Sequence, residues 1–227
     1  MTPERIQQLL EDVQSGQTNV QEAMQSLANL PFEDLGFARI DHHRALRQGF
    51  PEVIFCEGKT TSQVVDIAKR IVDTGATLLA TRADDVKRAA LAEAFEQADC
   101  HDLARTVVVL GETPNIETVG TILVVAAGTS DLPVAEEAVV TARVMGNTVD
   151  TLYDVGVAGI HRLLASKDRF DGASVVVVAA GMEGALPSVV GGLVECPVIA
   201  VPTSVGYGAS FKGVAALLGM LNSCASG

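Results

Sequence analysis

The run SVVVVAA at residues 174–180 limits the fold more than any other stretch of this chain. Four consecutive valines leave no polar residue alternating with an apolar one. A β-branched run of this kind suits a strand covered on both faces, the setting of a parallel sheet between helix layers. The run breaks at Gly181, and GMEGALPSVVGG follows. A second run, PVIAV at 197–201, breaks into PTSVGYGAS, and an apolar helix at 211–221 then leads to Asn222, Ser223 and Cys224. A third, TILVVA at 121–126, stops at Gly128, Thr129, Ser130 and Asp131. Turns that follow parallel strands open together at the carboxyl edge of the sheet, where open α/β sheets bind ligands.

The rest of the chain alternates in the same way. Strands are expected at 53–56, 76–81, 106–110 and 149–153, and helices from Thr60, over 84–98 and over 159–166, with a polar turn at 111–117 around Pro114. Thr60 with Gln63 reads as a capping box, and Val64, Val65, Ala68, Ile71 and Val72 form the buried stripe of that helix. Val86, Ala90, Ala94 and Phe95 are expected to face inward on the next helix, and Val134, Ala138, Ala142 and Met145 on the one after Asp131. The alternation predicts an α/β fold: an open parallel sheet with helices on both faces, a three-layer flavodoxin-like or Rossmann-like arrangement.

A helical hairpin precedes it. Thr2 and Pro3 start the first helix, with Ile6, Leu9, Leu10 and Val13 on one face and Ser15-Gly16 at its end. Asn19 with Glu22 caps the second, whose apolar face is Val20, Ala23, Met24 and Leu27, and Pro31 closes it. The expected divisions are a hairpin at 1–35, an α/β subdomain at 36–120 and a second α/β domain at 121–227.

The formal charge of −12 argues against a nucleic-acid surface, which needs a basic stripe. It leaves room for an anionic small ligand held by a few cations and backbone N–H groups. No apolar run reaches spanning length, so no membrane segment is expected. The N-terminus has no apolar signal core, and the cysteines at 56, 100, 196 and 224 match neither a disulfide framework nor a zinc pattern. A reducing, cytoplasmic setting is the expectation.

Several residues carry chemical potential, each with a plainer alternative. Gly128, Thr129, Ser130 and Asp131 form an anion cradle at a helix start, or an ordinary N-cap. In the second turn, Gly181, Met182 and Gly184 let a ligand approach the backbone, and Glu183 is a general base or a helix-start carboxylate. In the third, Ser204, Gly206 and Gly208 surround Tyr207, whose ring can stack on a flat heterocycle. Cys224 is a nucleophile or a buried small apolar residue. The helix terminus before it disfavours a thiolate, which a cationic substrate would offset. Asp41, His42, His43, Arg44 and Arg47 make a polar cluster for an anion, or a solvated loop. The adjacent histidines point apart and make a poor metal pair. Gly58-Lys59-Thr60 is not a P-loop, because Val53 stands where its first glycine belongs. Arg44, Lys59 and Arg82 are the cations expected around a substrate. No metal ligands can be named.

AAGTSDLPVAEEA, AAGMEGALPSVVGGLVECPVIAVPTSVGYGASF, LLGMLNSCASG and FARIDHHRALRQGFPEVIFCEGKT together resemble the LarB family over residues 36–227. These are carboxylase-hydrolases that begin synthesis of the nickel-pincer nucleotide of lactate racemase. The second half is also similar to the aminoimidazole ribonucleotide carboxylases and mutases of purine synthesis, through its serine-aspartate turn and Leu186-Pro187. Where those enzymes place a histidine before the leucine-proline pair, this chain has Ala185.

The LarB resemblance implies nicotinic acid adenine dinucleotide as substrate and CO2 or bicarbonate as co-substrate. It implies Mg2+ at the phosphates and a homo-octamer. The products would be pyridinium-3,5-biscarboxylic acid mononucleotide and AMP. It assigns Cys224 as nucleophile, Glu183 as base, and the Gly128–Asp131 turn to phosphate, ribose or metal. Family members continue past the matching cysteine with a glycine- and asparagine-rich tail, where this sequence stops at Gly227. A purine-type mutase and a non-catalytic nucleotide-binding module are the alternative expectations.

Overall fold

The computed structural model describes residues 3–27, 32–111 and 118–225. The expected start at Thr2, the closing Pro31 and most of the turn at 111–117 lie outside them. The chain divides into two compact units, Met1–Asn115 and Ile116–Gly227.

The first unit opens with the helical hairpin, α1 (Pro3–Ser15) and α2 (Val20–Leu27). The Asn19 capping box is present: Glu22 N–H donates to Asn19 Oδ1 at 2.9 Å, and Asn19 N–H donates to a Glu22 carboxylate oxygen at 3.2 Å. Ala23 is buried, whereas Val20 and Met24 stay exposed, so half of the expected apolar face is uncovered in the single chain. A short antiparallel ribbon, β1 (Glu33–Asp34) and β2 (Arg39–Ile40), precedes α3 (Arg44–Gln48).

Next come β3 (Val53–Phe55), α4 (Thr61–Asp73), β4 (Leu78–Thr81), α5 (Asp85–Ala94), β5 (Asp99–His101) and β6 (Thr106–Val109). The Thr60 capping box starts α4, which buries Val64, Ile67, Ala68 and Ile71. The sheet order is β3-β4-β6-β5. β3 and β4 are parallel, but β6 runs antiparallel to β4, and β5, which the sequence reading did not contain, pairs antiparallel with β6. The all-parallel expectation therefore does not extend to this unit. The physical reason is that α5 carries the chain over to β5 at the sheet edge, in the same direction as β4, and the β5–β6 hairpin then brings it back between the two, so that β6 runs against both. On α5, Leu91 is buried, Ala90 and Ala94 are partly buried and Phe95 packs against the core, whereas the expected Val86 faces solvent.

The second unit is the open parallel sheet with helices on both faces. Its elements are β7 (Thr121–Ala126), α6 (Leu132–Val144), β8 (Thr148–Leu152), α7 (Ile160–Ala165), β9 (Ala173–Ala180), α8 (Leu186–Gly191), β10 (Val198–Pro202) and α9 (Val214–Leu221). The order is β10-β9-β7-β8, parallel throughout. The buried valine run is β9, at an interior position between β7 and β10. Leu123, Val125, Val176, Val178, Leu163 and Leu186 fill one side of this sheet, and Val124, Ala126, Ala135, Val139 and Ala179 the other. α6 turns Ala135, Val139 and Val140 inward, and the expected Met145 is exposed.

The last helix starts at Val214, later than the expected 211. Phe211 and Lys212 adopt left-handed backbone at φ 46° and 55°, and Gly213 follows at 97°. Among the described residues, no helix is long and apolar enough to cross a membrane.

Leu123 lies 1% exposed in the middle of β7. Leu123→Ala is expected to lower the stability of the second unit by about 2–5 kcal/mol, through lost burial and the cavity left behind. Urea unfolding followed by circular dichroism measures it.

A candidate active site at the switch point of the parallel sheet

From β7 the chain passes to β8 on one side of the sheet, then returns to β9 on the other. The reversal splits the turns after β7 and β9, and the crevice between them is where open parallel sheets bind ligands. A cavity of about 380 Å³ lies there. Gly128, Thr129, Ser130 and Asp131 after β7 line it, as do Gly181, Met182 and Glu183 after β9, Asp154 and Arg162 after β8, and Val205 after β10.

Asp131 fastens these turns together. It is 4% exposed, one carboxylate oxygen accepting from the Gly128 N–H at 3.0 Å. The other accepts from the Thr203 hydroxyl at 2.6 Å, a short charge-assisted bond. Thr203 follows β10, so this contact spans the end of β9. Gly181 sits beneath it: a Cβ there would lie 2.7 Å from the Thr203 hydroxyl oxygen and 2.2 Å from the Val205 carbonyl oxygen. The Met182 N–H donates to that carbonyl at 2.8 Å. Asp131 therefore spends both oxygens on the protein, while Thr129 and Ser130 are exposed on the cavity wall.

The second turn is held from above by α9. A Cβ on Gly184 would lie 2.5 Å from the Ala216 carbonyl oxygen, and one on Gly219 would lie 2.3 Å from that of Glu183. The helix thus rests directly on the turn backbone, and Glu183 is left exposed at the cavity wall. Met182, at φ 54°, completes the bend. Met182 and Glu183 also border a shallow recess with Tyr207, Ala209, Ser210 and Ala215. Tyr207 is exposed beside it. Gly206 packs on Ser210; Ser204, Gly206 and Gly208 are not on the cavity wall.

Cys224 stands exposed on the turn after α9. The Ser188 hydroxyl donates to that of Ser223 at 2.8 Å, which pins this turn to α8, the helix whose first residue, Leu186, lines the cavity. Cys224 itself is not among the lining residues of the single chain. By contrast Cys56 is fully buried, and desolvation pushes its thiol up to about 11.

The remaining expected site residues belong to the first unit. Asp41 accepts from Arg47 at 2.5 Å and from the His43 N–H at 3.1 Å, and the Arg47 hydrogen bond holds its carboxyl below the usual range. Arg44 opens α3, half-buried; Lys59 donates to the Phe55 carbonyl at 2.7 Å; Arg82 follows β4 in left-handed backbone.

The sequence reading missed Asp154 and Arg162. Their ion pair of 2.5 Å sits on the cavity wall. The signal was available, since they follow β8 on the same sheet edge. No group of three or more metal-ligating side chains occurs among the described residues. With Asp131 and Asp154 already engaged, the wall does not form a metal-binding set by itself.

Comparisons with known proteins agree along the chain. Residues 32–111 match the model described as LarB/PurE-like N-terminal domain, and residues 121–226 match that described as AIR carboxylase. An uncharacterised protein of Methanocaldococcus jannaschii is 37% identical over 198 residues, covering 83% of this chain and 75% of that protein.

Two glycine substitutions separate packing from ligand access. Gly181→Ala is expected to cost about 1–3 kcal/mol, because its methyl meets backbone that cannot give way. Gly128→Ala is expected to fold normally, since its nearest new neighbour is an Asp131 oxygen at 3.8 Å. Thermal unfolding of both variants checks the contrast.

Proposed function

This chain belongs to the LarB family, carboxylase-type enzymes with an AIR-carboxylase-like second half, and from that premise we propose that it is a carboxylase-hydrolase acting on nicotinic acid adenine dinucleotide. The observation that carries the reading is the switch-point cavity, which has a carboxylate, Glu183, on one wall and hydroxyls on the other.

In this reading the substrate is a pyridinium ring whose C5 is too electron-poor to attack CO2. The Cys224 thiolate adds at C4, and the ring electrons move onto nitrogen. The resulting dihydropyridine is an enamine with a nucleophilic C5. C5 bonds to CO2, Glu183 takes the C5 proton, and expulsion of the thiolate restores the aromatic cation. Water cleaves the phosphoanhydride, releasing AMP and pyridinium-3,5-biscarboxylic acid mononucleotide. Thr129 and Ser130 would hold phosphate oxygens, and Mg2+ would supply further countercharge to the phosphates. Ala185 bears on the purine alternative: it lines the cavity just before Leu186, and its methyl cannot move a proton.

The reading includes a homo-octamer. Val214, Leu217, Leu218 and Leu221 on α9, with Ile199 and Phe211, are exposed in the single chain, and assembly would cover such a surface. Cys224 closes the same helix, so docking there would also enclose the thiol. Native mass spectrometry is expected to give eight copies; a monomer would remove this part of the proposal.

Incubation with nicotinic acid adenine dinucleotide, bicarbonate and Mg2+ is expected to yield AMP and a product heavier by one carboxylate. Cys224→Ala should give no ring carboxylation. Glu183→Gln should slow it by about a hundredfold to ten-thousandfold, the usual worth of a general base. Full activity in Cys224→Ala would overturn the covalent route.

A further inference from the structure

Two helices join the turn that carries Glu183 to the turn that carries Cys224. α8 starts just after Glu183, at Leu186 on the cavity wall. α9 rests on the Glu183 backbone through Gly219 and runs on to Leu221, just before Cys224. The helices meet again beyond that point, where Ser188 and Gly191 of α8 receive Ser223 and Ala225. Ser188 and Gly191 stand one helical turn apart, so they share a face.

Two contacts make this seat. The Ser223 hydroxyl oxygen accepts from the Ser188 hydroxyl at 2.8 Å and from the Ala225 N–H at 3.1 Å. It therefore closes a small turn around Cys224 and ties that turn to α8. The second contact is steric: a Cβ on Gly191 would lie 3.0 Å from that of Ala225, tighter than ordinary van der Waals contact. Neither residue is required by the helix itself. The Ser188 hydroxyl bonds across to Ser223, and Gly191 does not have the positive φ that calls for glycine.

We propose that Ser188 and Gly191 are positioning residues for the Cys224 thiol, holding it through α8 in fixed register with Glu183. Addition of sulfur to a ring carbon tolerates a narrow range of distance and angle, and a misplacement of about 1 Å costs on the order of a hundredfold in rate. Cys224 is exposed in the single chain, so packing on its own side chain does little to fix it. The contacts of its two neighbours, Ser223 and Ala225, do so instead. The inference rests on the reading that Cys224 adds to the substrate ring. It adds which residues aim the sulfur.

The test measures kcat and KM of the full chain for carboxylation of nicotinic acid adenine dinucleotide with bicarbonate and Mg2+. Ser188→Ala should lower kcat by about ten- to a hundredfold and leave KM unchanged, because the serine aims the sulfur and binds no substrate. Ser188→Thr keeps the hydroxyl and should restore most of the rate. Ser223→Ala should lose at least as much, and adding Ser188→Ala to it should cost nothing further, since both act through one bond. Gly191→Ala keeps both hydroxyls and favours helix, and should also lower kcat. Alkylation of Cys224 by iodoacetamide, mapped by peptide mass spectrometry, should be equal in all of them, since a small free reagent needs no fixed approach to the thiol. An unchanged kcat in Ser188→Ala would overturn the assignment. So would additive losses in the double variant, the mark of general loosening, or a matching fall in alkylation, the mark of altered thiol reactivity. No carboxylation by the unaltered protein would reject the proposed reaction, and the positioning role with it.

Discussion

The carboxylate of Asp131 holds the candidate site together. One oxygen takes the Gly128 N–H, which shapes the turn after β7; the other takes the Thr203 hydroxyl, which fixes the turn after β10. A carboxylate 4% exposed to solvent has few water partners, so both of its bonds must come from the protein. The contact passes over the end of β9 and forces Gly181 to lack a side chain. From this one constraint follow the height of the turn carrying Glu183, the path of Val205 on the wall and the closeness of α9 above.

Three kinds of glycine do different work here. Gly181, Gly184 and Gly219 are spaces for other backbone, and their nearest neighbours are carbonyl oxygens. Gly128 has almost nothing near it and leaves room for something outside the chain. Gly159 is a third case, giving a seat to a side chain three residues further on. Glycine richness at a sheet edge is therefore a poor guide to ligand contact until each neighbour is known.

Acidity shapes the same region. Asp131 is engaged by two hydrogen bonds and Asp154 is paired with Arg162, while Glu183 stands exposed. Among the described residues, the wall thus carries one exposed carboxylate beside one ion pair. The distribution of charge on the wall thus bears on substrate class more directly than the net charge of the chain.

Much of the second unit was legible in the sequence because its signals are local. A valine run has one way to be buried on both faces, and β7, β9 and β10 fell where the apolar runs lay. The capping boxes at Asn19 and Thr60 were readable for the same reason, each being a contact between residues three apart. Strand direction was not legible. Thr106–Val109 has the composition of any buried strand, and only the hairpin with Asp99–His101 turns it antiparallel to β4. The start of α9 was hidden as well, since Phe211 and Lys212 are ordinary helix residues held left-handed by their surroundings. By itself the sequence determined the layered α/β class, the glycine turns and a set of residues able to do chemistry. Only the tertiary structure decided that Asp131 serves Thr203, 72 positions away, and that Arg162 reaches the cavity, because such pairings depend on which strands become neighbours.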